Sequence, residues 1–223
     1  MRIRSSVLFL FVVAILLTGC SIKSTIRKAD KRYDIGEYYA AGELYKNVYS
    51  NLTSKEKPIK GKIAFRQAEC YRMINNGRAE QAYQNALRYN YSDSVILLHF
   101  AQVLQQNGKY AEAAANYSLF LKTDSTNVVA LNGLKACKTI SEILKNQTRY
   151  DVKRPAEFNL RKTSNFSPAF VGLSGDMIAF STTRPLDKKT VQKNSAITGI
   201  PGNDIFISRK NAVGKWETTL TRW

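Results

Sequence analysis

Apolar positions along the chain fall into three regimes. Val7 to Leu17 is an uninterrupted apolar run of 11 residues. From residue 25 to 147 apolar residues recur at helical spacing, and after Gln147 they gather into short strand-like runs. In the middle regime one pattern returns three times. Small residues at Ala41, Ala79 and Ala113 are each followed by an aromatic at +4 (Tyr45, Tyr83, Tyr117) and an apolar residue at +7 (Val48, Ala86, Phe120), which is one helical face. The small residues are 38 and 34 positions apart. A glycine precedes each of these helices, at Gly36, Gly77 and Gly108, where the chain is expected to turn. The helices ahead of those turns carry Ala29, Ala68 and Ala101 at a matching close-contact position, with Tyr71 and Leu104 following at +3. The segment from Asn51 to Pro58 is read as a loop holding the four extra residues of the first period.

This pattern resembles the tetratricopeptide repeat, a 34-residue helix-turn-helix unit. The second repeat is one residue short between Tyr71 and Ala79, and Ser125 stands where the family's terminal proline is usual. Val128 to Gln147 is read as one further helix, whose Val129, Leu131, Leu134, Ile140, Ile143 and Leu144 would cover the last apolar face of the array. The family's geometry implies that the first helix of each pair lines a concave groove. It would carry Asp30 and Tyr33, then Phe65, Glu69 and Arg72, then Leu98, Gln102, Gln105 and Gln106. Such a mixture suits an extended peptide or a partner's helix, and equally a solvated face without a ligand.

Beyond Gln147, proline and glycine become frequent and helical periodicity stops. Strands are expected at 168–171, 177–181 and 204–208, and a further run at 214–216 follows another turn. Asp176 fits the tight turn after Gly175. The strands are apolar on both faces, the pattern of a sheet sandwiched between others. Ser167-Pro168-Ala169-Phe170, Gly175-Asp176, Ile178-Ala179-Phe180-Ser181 and Asp204-Ile205-Phe206 together resemble one blade of a TolB-like propeller. Propellers need about four to eight blades. A chain with room for one is therefore expected to be part of a longer protein, or else to fold a small β cap. The fold class is α+β and multidomain: a tetratricopeptide α-solenoid at 25–147, a linker at 148–157 and the first blade of an incomplete β-propeller at 158–223.

The first regime is an address. Arg2 and Arg4 precede the apolar run, which is too short to cross a bilayer's hydrocarbon core of about 30 Å. Leu17-Thr18-Gly19-Cys20 resembles a bacterial lipobox. That resemblance implies a signal peptide at 1–19, lipidation at Cys20 and a lipidated tether at 20–24. Ser21 in place of Asp, with no acidic cluster after Cys20, points to the periplasmic face of the outer membrane. Two or three acyl chains hold a membrane durably where one does not.

Composition narrows the chemistry. The chain has 34 Lys and Arg against 17 Asp and Glu, a formal charge of +17, with one histidine and three cysteines. That excludes a Cys/His zinc cluster, a multi-disulfide scaffold and any catalytic unit built on two histidines. No phosphate-binding loop, metalloprotease motif or nucleophile elbow is present. No cofactor, metal or catalytic residue is assigned. His99 is read as structural, and Cys70 and Cys137 as free thiols in helices. Basic clusters stand at Arg27-Lys28/Lys31-Arg32, at 55–62 and at Lys188-Lys189/Lys193. In an exported protein they would meet anionic lipid, peptidoglycan carboxylates or acidic proteins, not nucleic acid.

The order of lipobox, short helical repeat and TolB-like blade is similar to the OmpA-family lipoproteins of Bacteroidota, a family that includes a periplasmic component of the type IX secretion system. Ala68-Glu69-Cys70-Tyr71-Arg72, Phe166-Ser167-Pro168-Ala169-Phe170-Val171 and Ile197-Thr198-Gly199 ahead of Asp204-Ile205-Phe206 carry the match. The resemblance implies a non-enzymatic scaffold in the cell envelope, binding peptidoglycan only through a C-terminal domain that this sequence lacks. Two other readings of the same residues stay open: a propeller receptor for glycan or muropeptide, and the N-terminal part of a propeller-containing peptidase.

Overall fold

A computed structural model describes residues 22–146, 150, 153, 156–158, 163–185, 192–217 and 221–222. The expected signal peptide and Cys20 lie outside these residues, as does most of the expected linker. Two compact units emerge: residues 1–147 with 196–198, and residues 148–195 with 199–223.

The first unit is helical. Residues 22–34 form α1, followed by α2 (Tyr38–Asn51), α3 (Lys57–Met73), α4 (Ala79–Arg88), α5 (Val95–Gln106), α6 (Tyr110–Phe120) and α7 (Val128–Lys145). Residues 22–24, read from sequence as tether, are helical and part of α1. Pro58 also falls inside a helix, not in the loop. It occupies the first turn of α3, where a missing N–H leaves no bond unmade. Among the described helices, α3 packs on both α2 and α4, and α6 on both α5 and α7. Contacts α3–α5 and α5–α7 stack the first helices of successive pairs. All nine repeat positions are buried: the small residues at 41, 79 and 113, the tyrosines at 45, 83 and 117, and Val48, Ala86 and Phe120. Ala29, Ala68 and Ala101 are fully buried too, so backbones approach closely wherever the spacing places an alanine.

The turns show why these helices stop. After α1 the N–H of Gly36 donates to Tyr33 O and that of Glu37 to Arg32 O. The same pair of bonds closes α3 at Asn75 and Asn76, α4 at Asn90 and Tyr91, and α5 at Gly108 and Lys109. This is the Schellman motif, which needs a left-handed residue. Gly36 and Gly108 supply it with φ of 79° and 77°. In the second repeat the left-handed residue is Asn75 (φ 51°), not Gly77, because asparagine tolerates that region when it caps a helix.

The last helix departs from expectation. Its N-terminus is capped by Asn127, whose side chain accepts from Ala130 N at 3.1 Å. It packs on the array through Ala130, Leu134 and Cys137. The larger residues Val129, Leu131, Ile143 and Leu144 remain about half or more exposed. The stripe that fits against α6 is narrow because Gly133 lets the Tyr117 ring lie against the helix backbone. A Cβ built there would stand 2.4 Å from Tyr117 Cζ.

In the second unit, β1 (Asn165–Phe170), β2 (Met177–Thr182), β3 (Asp204–Arg209) and β4 (Thr221–Arg222) form an antiparallel sheet in chain order. Trp216, expected in a strand, contributes a single bridge to Lys210. The Ser174 hydroxyl bonds Asp176 at the first turn, and Gly175 there has φ 67°. Phe180 and Phe206 are paired neighbours and both buried. Phe158 packs edge-on against Phe180 and Trp216, at 5.4 and 5.6 Å between ring centres. The other face carries Phe166 and Ile205, 44% and 50% exposed. Alternation along β2 and β3 thus gives one covered face and one open apolar face.

Candidate functional site

Three of the nine groove residues named from sequence are buried in the helical core: Phe65, Glu69 and Leu98. Phe65 stacks on Tyr91 at 4.3 Å. Tyr33 lies partly buried under Arg66, whose guanidinium sits 5.0 Å from its ring centre. Four others, Arg72, Gln102, Gln105 and Gln106, come together along one open cleft of about 620 Å³. Its remaining lining is Tyr117, Val129, Asn132, Gly133 and Ala136, from the second helix of the third pair and from α7.

Asp30, Glu69 and Gln105 share a role that spacing alone does not reveal. Each accepts a hydrogen bond from the buried tyrosine of the following helix. Tyr45 donates to Asp30 Oδ1 at 2.5 Å, Tyr83 to Glu69 Oε1, and Tyr117 to Gln105 Oε1 at 2.8 Å. The aromatic at +4 therefore fills the groove between helices and also fastens its hydroxyl to the facing helix. A buried hydroxyl without a partner would cost about 1–3 kcal/mol, so each repeat needs an acceptor there. Burial and the neighbouring carboxylates raise the Tyr45 and Tyr83 phenols well above their ordinary range.

Around Glu69 the second pair's acceptor becomes the centre of a charged network. Its Oε1 also lies 2.7 Å from His99 Nδ1, and its Oε2 accepts from Arg72 at 2.8 Å. Burial alone would raise this carboxyl. Hydrogen bonds from His99, Arg72 and Tyr83 outweigh burial and hold it at about 2. An ionised carboxylate only accepts, so the shared proton sits on His99 Nδ1. The histidine set aside as structural thus joins α5 to α3 and α4 through one carboxylate. Sequence gives a signal for this only in hindsight: a lone carboxylate on a face otherwise filled by alanine and aromatic residues.

Arg72 is the part of that network that reaches the cleft. Glu69 fixes one guanidinium nitrogen, and Nε is buried without a partner. It is the only ionised group in the lining, where Gln102, Gln105, Gln106 and Asn132 supply amides and Val129 and Ala136 an apolar edge. Amides both donate and accept, so this wall can pair with a peptide main chain, while the guanidinium favours a carboxylate.

Among the described residues no group of three or more His, Cys, Asp or Glu could hold a metal ion. Cys70 and Cys137 are free and buried. Burial pushes the Cys70 thiol up to about 12 and raises Cys137 as well. The thiolate is the reactive form, so both should resist alkylation at pH 8 in the folded protein and react once urea unfolds it. Mass spectrometry of iodoacetamide-treated samples checks this. Rapid native labelling of Cys70 would contradict the packing of α2 against α3.

No family model matches the chain, and no curated protein is significantly similar to it. Among solved structures, the chain is similar to the first TPR of Spaghetti (RPAP3) bound to the HSP90 peptide SRMEEVD. Identity is 19% and the TM-score 0.46, over 56% of this chain and 94% of that one.

Proposed function

We propose that this chain is a scaffold lipoprotein of the bacterial cell envelope, held to the outer membrane through Cys20, whose helical array docks a segment of another envelope protein. The cleft carries this reading. Arg72 stands at one end, amides of α5 form one wall, and α7 forms an apolar edge. A segment that offers a carboxylate to Arg72, main-chain groups to the glutamines and a small apolar side chain to Val129 and Ala136 satisfies all three. The open face of the sheet, with Phe166 and Ile205, supports reading the second unit as a propeller blade that stacks on further blades. In the OmpA-family setting such a protein ties secretion machinery to peptidoglycan.

Site-specific photocrosslinking in the native envelope tests the docking role. A photoreactive residue at Gln106, exposed on the cleft, is expected to capture a discrete partner, and one at Ser118, exposed outside the cleft lining, is not. Arg72→Glu should reduce the Gln106 adduct by about tenfold or more, since it replaces an attraction with a repulsion inside a partly desolvated cleft. Equal yields at both positions, untouched by the charge reversal, would remove the cleft from consideration.

A further inference from the structure

The basic residues of α1 are distributed in a way the docking cleft does not use. With 3.6 residues per turn, Ile22, Ile26, Ala29 and Tyr33 share one side of α1. That side packs into the core with Tyr45 and Val48. Lys23, Arg27, Lys28, Lys31 and Arg32 occupy the opposite side, and all five are exposed. Arg32 pairs with Glu37. Among the described residues no carboxylate forms an ion pair with the other four. Asp30 is turned to Tyr45, and Asp34, exposed at the end of the same face, forms no ion pair with these cations and offsets one of their charges only. The result is a row of four long, unpaired cations on an outward helix face.

We infer that the outer face of α1 lies against a membrane surface, its Lys23, Arg27, Lys28 and Lys31 seated on anionic phospholipid headgroups. The shape of the patch favours a lipid surface over a folded partner. It is an outward helix face whose residues take no part in the lining of the cleft, and its long side chains suit a fluid, irregular layer of charge. Position favours it as well, a point that rests on the reading of Cys20 as acylated. Helix α1 is already helical at Ile22, the first described residue, so an acyl chain at Cys20 would place that end of the helix within about 7 Å of the bilayer. That is inside a Debye length of about 8–10 Å, where such charges still feel the headgroups. With its apolar side committed to the core, α1 has nothing to insert, so the contact is electrostatic and salt-sensitive. It would also orient the helical unit on the surface, which a flexible lipid tether alone does not.

The test uses unacylated protein beginning at residue 21, which keeps every described residue, and vesicles of phosphatidylcholine with or without about 30% phosphatidylglycerol. The partition constant from co-sedimentation should rise by about a hundredfold or more with the anionic lipid and fall as salt is raised. Each headgroup-facing cation contributes roughly a fivefold factor, so Arg27→Gln/Lys28→Gln/Lys31→Gln should lose about a hundredfold. Circular dichroism verifies that this variant is folded. Lys135→Gln/Lys138→Gln/Lys145→Gln removes the same charge from exposed positions of α7 and should bind as the parent does. Equal loss in both variants would reduce the effect to net charge and overturn the assignment. So would full binding by the α1 variant, which would return the patch to an acidic protein partner or to solvent. Mass spectrometry of the membrane-derived protein tests Cys20 separately: an unacylated cysteine would defeat the anchor while leaving the vesicle result standing.

Discussion

Replacing Glu69 with alanine is expected to destabilise the helical unit by about 3–5 kcal/mol, the largest effect of any single polar substitution in the array. The carboxylate receives Tyr83, His99 and Arg72 from three helices, and truncation would leave a phenol, an imidazole and a guanidinium without their acceptor in a buried site. Urea denaturation followed by circular dichroism measures it. The same network makes a pH prediction whose sign follows from the depressed carboxyl, held at about 2 against an ordinary 4.5. A carboxyl lowered by folding stabilises the native state above its unfolded value and loses that contribution as pH falls towards the folded one. Between pH 5 and 2 the parent protein should therefore lose about 3 kcal/mol from this group. Glu69→Gln, which cannot titrate, should show a correspondingly shallower acid limb. Superimposable acid limbs would mean that Glu69 is not ionised within the fold.

Gly133→Ala is expected to cost about 1–3 kcal/mol and to deform the cleft. The added methyl would meet the Tyr117 ring at 2.4 to 2.8 Å, well inside contact distance. The ring is buried and its hydroxyl is committed to Gln105, so it cannot swing aside without breaking that bond and shifting a wall residue of the cleft. The crosslink at Gln106 should fall together with stability. Gly133→Ala/Tyr117→Leu, which removes the clash, should recover stability relative to Gly133→Ala alone while leaving Gln105 without its donor. If Gly133→Ala were neutral by both measures, the close approach of α6 and α7 would not exist as described.

The helical unit was legible because two signals coincide: a 3.6-residue face and a repeat of 34 to 38 positions, both marked by alanine and tyrosine. The turns were less so. Gly77 drew the eye, whereas Asn75 does the work, since the left-handed position depends on where α3 runs out of carbonyl partners. Hydropathy also misjudged α7, where Ala130 and Cys137 pack and the larger Ile143 and Leu144 do not, because fit against a tyrosine ring selects small residues. The resemblance to the repeat family implied a groove with Arg72 and the three glutamines, which do line the cleft, but it could not separate residues that face outwards from those drawn in. Phe65, Glu69 and Leu98 share the same register and are consumed by partners up to 30 residues away in sequence. Tyr117 and the α7 contributions were missed because they come from helices not counted as groove-lining.

Among the described residues no helix follows α7, and its outward side carries the exposed Val128 and Leu131, where a partner helix would pack. That makes the carboxyl end of the array a natural splice point for lengthening it. A designed helix fused there in the register of α2, α4 and α6 would add a fourth pair, and each added pair would extend the cleft by one more turn of its wall.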